Sequence, residues 1–368
     1  MSLQARILER IRQEGAIPFA EYMQMALYEP GYGYYVTGPA KMGWEGDYFT
    51  SSDVSDFFAH CLGRQLLKLW QEIGEPEAFY VLEQGSARGH LAKGVTSWAR
   101  QEQPALYKAM RYQTADIRFG QDVRVGGDEE VREKVHVILS NELVDAFPVH
   151  IVEKCGERLY EAYVDEKDGH LQEVLGEASS EQVSRYLDDY KIAWQTFADG
   201  WRAEINLTAD QWLEQCAQLL AGSASRRKKQ GVLLVIDYGD KARELYSAYH
   251  PDGTLNCYYQ HQLTKHPLLR PGEQDITAHV NFSALIAKGR KLGMRLHSYE
   301  TQRAWLLGMG IQEELEQVRA QEFAVIDRDR GSDRGQTALF QWYNLRQSIQ
   351  TLIDPNGMGN FKVLIMHR

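Results

Sequence analysis

The sequence predicts an α/β fold in which a mostly parallel sheet is covered by helices, and three observations carry that prediction. The segment FYVLEQG, residues 79–85, is a short apolar run that stops at a glycine, as a strand buried on both faces does. Two later runs, VHVILSNELVDAFPV and GVLLVIDYG, repeat the pattern, with stretches of helical periodicity between them. The chain also closes on GNFKVLIMHR, a strand reached through helices, which suits a sheet whose last strand enters antiparallel.

Element by element, residues Leu3 to Glu14 read as an amphipathic helix. IPFAEYMQMALYEP leads from it into a glycine-rich segment carrying Tyr32, Tyr34, Tyr35, Trp44 and Tyr48. Rings this large on a loop read either as a pocket lid or as cover for the core. Val54 to Ile73 has helical spacing, HLAKGVTSWARQ continues as a helix after the glycine turn, and AMRYQTA reads as a second strand. IVEKCGERLYEAYVDEKDGHLQEVL alternates and holds the turn signals CGE and KDG, so it reads as an inserted antiparallel hairpin. Helices are expected over Gln182 to Phe197 and Ala209 to Leu220. HVNFSALIAKGRKLG then reads as a helix feeding the strand MRLHSYETQ. The organisation expected is an N-terminal helix, aromatic loop and first half of the core over 1–150, an inserted region over 151–230, and the second half of the core over 231–368.

With 43% apolar and 25% charged residues, the composition is that of a globular protein. The net charge of -10, from 51 acidic and 41 basic side chains, argues against general nucleic-acid affinity. The basic run Arg226 to Lys229 reads as a solvated loop. Cys61, Cys155, Cys216 and Cys257 lack zinc-site spacing, and no metal is expected. No stretch approaches a membrane span and the N-terminus lacks an apolar signal core, so a cytoplasmic protein is expected.

Three segments carry candidate chemistry. In VLEQGSARGH a strand ends in Glu83 and a glycine turn and then opens a helix, an arrangement that lets backbone N–H groups approach a ligand. In SNELVDAFP, Asn141, Glu142 and Asp145 follow a strand end, where they could orient a cation or an amide, or cap the next turn. In GEQDITAHVNF, His279 could act as acid or base, while Asp275 or Thr277 could cap the following helix. No HExxH, P-loop or GxSxG pattern occurs.

The ordered series AEYMQMALYEPGYGYY, GDYFTSSDVSDFF, LEQGSARGHL, NELVDAFPVH, VIDYGD, GTLNCYYQH, PGEQDITAHVNFSAL, TQRAWLLGMGI and MGNFKVLIMHR resembles the MidA-type family of S-adenosylmethionine-dependent methyltransferases. The resemblance spans nearly the whole chain. It implies a class I methyltransferase-like, Rossmann-like sheet, S-adenosyl-L-methionine as cofactor and a protein substrate methylated on a side chain, arginine being favoured. The mitochondrial members act on a respiratory complex I subunit. By the same resemblance Glu83, Gly85, Ala87, Gly89 and the position of Tyr112 fall at the cofactor, and Asn141, Glu142, Asp145, Asp47 and His279 at the reacting group, with the Gly46 to Ser51 loop closing the pocket. The chain departs from the family where Ala87 replaces the middle glycine of the turn. Aligning through Ile117, Arg118 and Gln121 also puts Tyr112 where relatives have an acidic residue at the end of the second strand, and Ala59-His60 replaces Gly-Glu. These departures support an alternative, a catalytically impaired member acting as a partner-binding or assembly factor.

Overall fold

The structure is a computed structural model that describes residues 2–37, 51–87, 89–116, 124–125, 135–220, 231–260, 262–329 and 332–368. The chain opens with helix α1 (Leu3–Glu14), capped where Ser2 Oγ accepts from Ala5 N at 3.2 Å and ended at Gly15, whose φ of +88° suits glycine. Strand β1 (Ile17–Pro18) and helix α2 (Phe19–Tyr28) follow, then α3 (Ser51–Val54) and α4 (Asp56–Ile73). The first half of the core is β2 (Phe79–Gln84), α5 (His90–Glu102), α6 (Pro104–Ala109), β3 (Met110–Asp116), β4 (Arg124–Val125) and β5 (Val137–Asn141).

Next come β6 (His150–Cys155), β7 (Arg158–Lys167), β8 (His170–Gly176), α7 (Glu181–Asp189), β9 (Arg202–Ile205) and α8 (Thr208–Leu219). The second half holds β10 (Val232–Asp237), β11 (Gly239–Asp240), α9 (Ala242–Leu245), β12 (Asn256–Tyr259), β13 (Gln262–Thr264), β14 (Asp275–Thr277) and β15 (Val280–Asn281). It ends with α10 (Phe282–Lys291), β16 (Arg295–Thr301), α11 (Gln302–Gly308), α12 (Ile311–Arg328), α13 (Asp333–Ile353) and β17 (Lys362–His367).

The main sheet runs β16-β17-β10-β5-β2-β3-β4. β10, β5, β2 and β3 are mutually parallel, and β17 lies antiparallel between β10 and β16, as expected of the final strand. Period-2 alternation sends β2 side chains to two cores. Val81 joins α4, α5 and α13 on one face, and Leu82 joins α8 and α10 on the other. A second sheet of β1, β6, β7, β8 and β9 unites the N-terminus with the expected hairpin, and the bidentate Arg12–Glu166 pair adds a surface tie between α1 and β7. Helix α8 packs on the main sheet rather than with the hairpin that precedes it.

Two departures from the sequence reading concern this region. The helix expected to reach Phe197 stops at Asp189, because Lys191 turns left-handed (φ +56°) and Trp194 folds back into the core with its Nε1 donating to Asp188 at 2.9 Å. Strand β9 was not anticipated; at four residues it is too short to show a period.

Helices α4 and α5 cross closely because small residues sit at the contact. A Cβ on Gly94 would lie 2.6 Å from Ala59 Cβ, and one on Gly63 would overlap the Trp98 ring. Gly63→Ala is therefore expected to destabilise the fold by about 1–3 kcal/mol, read as a lower denaturation midpoint. An unchanged midpoint would mean that Trp98 swings aside without cost.

Candidate active site

The parallel strands β2, β3, β5 and β10 end on the same edge of the sheet, so the polar residues at their carboxyl ends are neighbours. After β2 the chain makes a tight turn in which Gly85 (φ +74°), Ala87 (φ +45°) and Gly89 (φ +68°) are all left-handed. Gly85 N donates to Ala115 O at 2.8 Å, and a side chain at Gly85 would press on Leu143, 2.9 Å from its Cδ1. Ala87 therefore holds a left-handed conformation that glycine adopts more readily, at a cost of about 1–2 kcal/mol. Gly89 is the N-cap of α5 and supplies no capping side chain, so the first amides of that helix have no side-chain partner from the cap. Glu83 is buried at the base of the turn, where Tyr112 Oη donates to its Oε2 at 3.0 Å. Burial pushes its carboxyl up to about 7, and the tyrosine bond opposes that rise.

Two expectations change here, and one falls where it is not tested. Tyr112 does not end the second strand: it is the third residue of β3, opposite Val81, and the strand runs on to an acidic residue, Asp116. Ala59 packs against α5, while His60 Nδ1 lies 2.6 Å from Glu314 on α12, so this pair serves helix packing. Asp47 and Gly46, with Trp44 and Tyr48, fall outside the described residues.

At the ends of β5 and β10 lies a cleft of about 590 Å³ lined by Glu142, Asp145, Tyr238, Asp275 and His279 among others; Glu83, Gly85, Ala87, Gly89 and Asn141 are not among its lining residues. Glu142 leaves the strand left-handed (φ +49°), and its Oε1 accepts from Ser51 N at 2.7 Å and from Asn141 Nδ2 at 3.3 Å. Burial, with the nearby Asp145 charge adding to it, raises the Glu142 carboxyl to about 8. Asp145 is buried and takes a hydrogen bond from the Tyr238 hydroxyl; burial lifts it to about 6. Asn141 Oδ1 and Asp145 Oδ1 are buried without a hydrogen-bond partner among the described residues.

The capping readings do not hold. The cap of α10 is Asn281, whose Oδ1 accepts from Ala284 N at 3.1 Å, whereas Asp275 and Thr277 belong to β14 and line the cleft. The short 3-10 turn Val144–Ala146 has no side-chain N-cap of its own. Its amides go instead to Asp237 at the end of β10: Oδ2 accepts from Leu143 N at 3.2 Å and Val144 N at 3.0 Å.

His279 is held at its backbone, where its N–H donates to Thr254 Oγ1 at 3.1 Å. That hydroxyl donates to the buried Glu204 of β9, so the inserted sheet reaches into the cleft wall. Burial lowers the imidazole to about 4, which leaves it neutral near pH 7. Tyr238 packs edge-on to it, with ring centroids 5.4 Å apart. Asp275 accepts from Tyr35 Oη at 2.7 Å, and Tyr35 lines the cleft, whereas Tyr34 is buried in a separate core with α1, α2 and strands of the second sheet; of these two rings Tyr35 alone borders the site.

Sequence reasoning missed Asp237 and Tyr238. The rule that picked out Asn141 and Glu142, polar residues at a strand's carboxyl end, would have found them in VIDYG. Among the described residues a separate group, Glu72, His297 and His367, brings three potential ligand atoms within 4.8 Å of one another; none of them lines the cleft. No helix among the described residues is long and apolar enough to cross a membrane.

Comparison with known proteins places this architecture. A structure from Burkholderia thailandensis, described as a COG1565 superfamily member and likely methyl transferase bound to S-adenosyl-homocysteine, is similar over 100% of this chain and 92% of its own, with a TM-score of 0.79 and 27% identity. The mitochondrial protein arginine methyltransferase NDUFAF7 homolog of Drosophila melanogaster is 27% identical over 76% of this chain and 68% of its own length. Its counterpart in Rattus norvegicus is 25% identical over 98% of this chain and 84% of its own. The expectation of a cytoplasmic protein is overturned by these relatives, which are named as mitochondrial. The fold is that of a class I methyltransferase. Residues 61–300 match the family described as "Putative S-adenosyl-L-methionine-dependent methyltransferase", and the chain belongs to that family.

Proposed function

We propose that this chain methylates the guanidinium of an arginine in a protein, with S-adenosyl-L-methionine as donor. A respiratory-complex subunit is the partner that the family resemblance favours. The observation that carries this reading is the cleft at the ends of β5 and β10, where Glu142 and Asp145 face a common space, while Leu143 between them packs against Gly85 of the glycine turn. Two buried carboxylates raised to about 8 and about 6 are poised for a cation, since an opposite charge brings both back toward ionisation. The relatives named as protein arginine methyltransferases support the same substrate class.

The turn fits the cofactor in two respects. Gly89 leaves open space where a side chain would stand, and the α5 N-terminus favours the negative end of a ligand. Glu83, Gly85, Ala87 and Gly89 would hold it, with Tyr112 acting through its bond to Glu83. When bound, S-adenosyl-L-methionine supplies an electrophilic methyl on a sulfonium. The chain's own part is alignment. Asn141 and Glu142 would orient the acceptor nitrogen, and Asp145 Oδ1 would take the proton that a guanidinium nitrogen gives up. His279 is neutral and serves as a wall and polar contact. Asp47 is assigned to the closing loop by family resemblance alone.

Glu142→Gln is expected to abolish methyl transfer to arginine-containing protein while calorimetric affinity for S-adenosyl-L-methionine stays as in the wild type. Unchanged turnover would remove Glu142 from the reaction.

Stability has a definite sign too. Because the folded Glu142 carboxyl sits above its ordinary value, its contribution is present at low pH and is lost as pH rises from the usual carboxylate range through about 8. Glu142→Gln should therefore melt like the wild type near pH 5 and about 2–4 °C higher near pH 8. A gap of the same size at both pH values would argue against the raised carboxyl.

Ala87→Gly is expected to stabilise the fold by roughly 0.5–1 kcal/mol, since glycine relieves the left-handed strain but has more freedom to lose on folding. Chemical denaturation measures this, and a loss of stability would mean that the Ala87 methyl packs usefully.

A further inference from the structure

We propose that Asp237 is a positioning residue that fixes Glu142 and Asp145 in the cleft by gripping the backbone of the turn that carries them. This role depends on the cationic-substrate reading of the cleft for its consequence, and on the turn alone for its geometry. Four consecutive amides of the turn are received by two consecutive residues of β10. Glu142 N donates to Ile236 O at 2.8 Å, and Leu143, Val144 and Asp145 donate to Asp237 Oδ2 at 3.2, 3.0 and 3.4 Å. Asp237 Oδ1 is engaged as well, accepting from Tyr238 N at 2.9 Å. The next side chain completes the grip, because the Tyr238 hydroxyl donates to one oxygen of Asp145, a residue that lines the cleft, and leaves Oδ1 without a partner among the described residues.

Asp237 is fully buried and is not among the cleft-lining residues, so it reaches a substrate only through Glu142 and Asp145. The turn needs an external acceptor, because Glu142 is left-handed and Leu143, at the N-cap position, supplies no capping side chain. An alanine at 237 would leave several buried amides unpaired at once. An asparagine keeps one oxygen for the three turn amides and sets its own NH2 against Tyr238 N–H, so it should preserve most of the geometry.

The test compares wild type, Asp237→Ala and Asp237→Asn by three readouts. These are hydrogen exchange of the Leu143–Asp145 amides, calorimetric affinity for S-adenosyl-L-methionine, and affinity for blocked arginine (N-acetyl-L-arginine amide) by NMR titration. The alanine variant is expected to exchange these amides faster and to bind blocked arginine about tenfold more weakly, with methyl-donor affinity within about threefold of wild type. The asparagine variant should recover most of both losses. Unchanged exchange in the alanine variant overturns the role. So does an asparagine variant no better than alanine, or a parallel loss of donor binding, which would mark a general collapse. If wild type binds the donor but not blocked arginine, the cationic-substrate reading falls, while the exchange data still decide whether Asp237 holds the turn.

Discussion

The site depends on one junction, where the end of β10 receives the backbone of the turn that leaves β5. A parallel pair of strands ends there with unused amides, and the chain must reverse direction inside the protein, away from water. Asp237 supplies the missing acceptor, and the strain of a left-handed Glu142 is offset by hydrogen bonds worth about 1 kcal/mol each. With this turn in place, Leu143 packs against Gly85, so the glycine turn after β2 and the carboxylates after β5 are set relative to each other. Neither can shift alone without disturbing that apolar contact.

The same junction concentrates negative charge. Glu142, Asp145 and Asp237 lie together in a buried region, and burial raises all three carboxyls, with the Asp145 and Glu142 charges adding to the rise at Asp237. Such a cluster is stable either partly protonated or facing a cation. This dual character follows from the fold rather than from any single residue, and it is the basis of the cationic-substrate reading proposed for the cleft.

The second sheet extends the support beyond the core. Glu204 on β9 binds Thr254, and Thr254 receives the amide of His279, so a strand within the inserted region steadies one wall of the cleft. On the other side Tyr35, from the segment after α2, reaches Asp275. The N-terminal part, the inserted strands and the second half of the core all converge on the strand ends.

Much of this was legible in the chain itself. The apolar runs ending in Gln84, Asn141 and Asp237 announced buried parallel strands, and the placement of KVLIMH after helices announced the antiparallel last strand, because strand burial and strand period are written in the residues that form them. The polar residues at the strand ends were legible for the same reason. Which of them act on one another was not. That Asp237 holds the Glu142 turn, that Tyr112 lies within its strand and bonds Glu83, and that Asn281 caps α10 while Asp275 and Thr277 face the cleft are matters of register and of contacts far apart in sequence. Local sequence determined the elements and their faces; only packing decided which buried acceptor each backbone amide found, since that choice is made between strands and not along them.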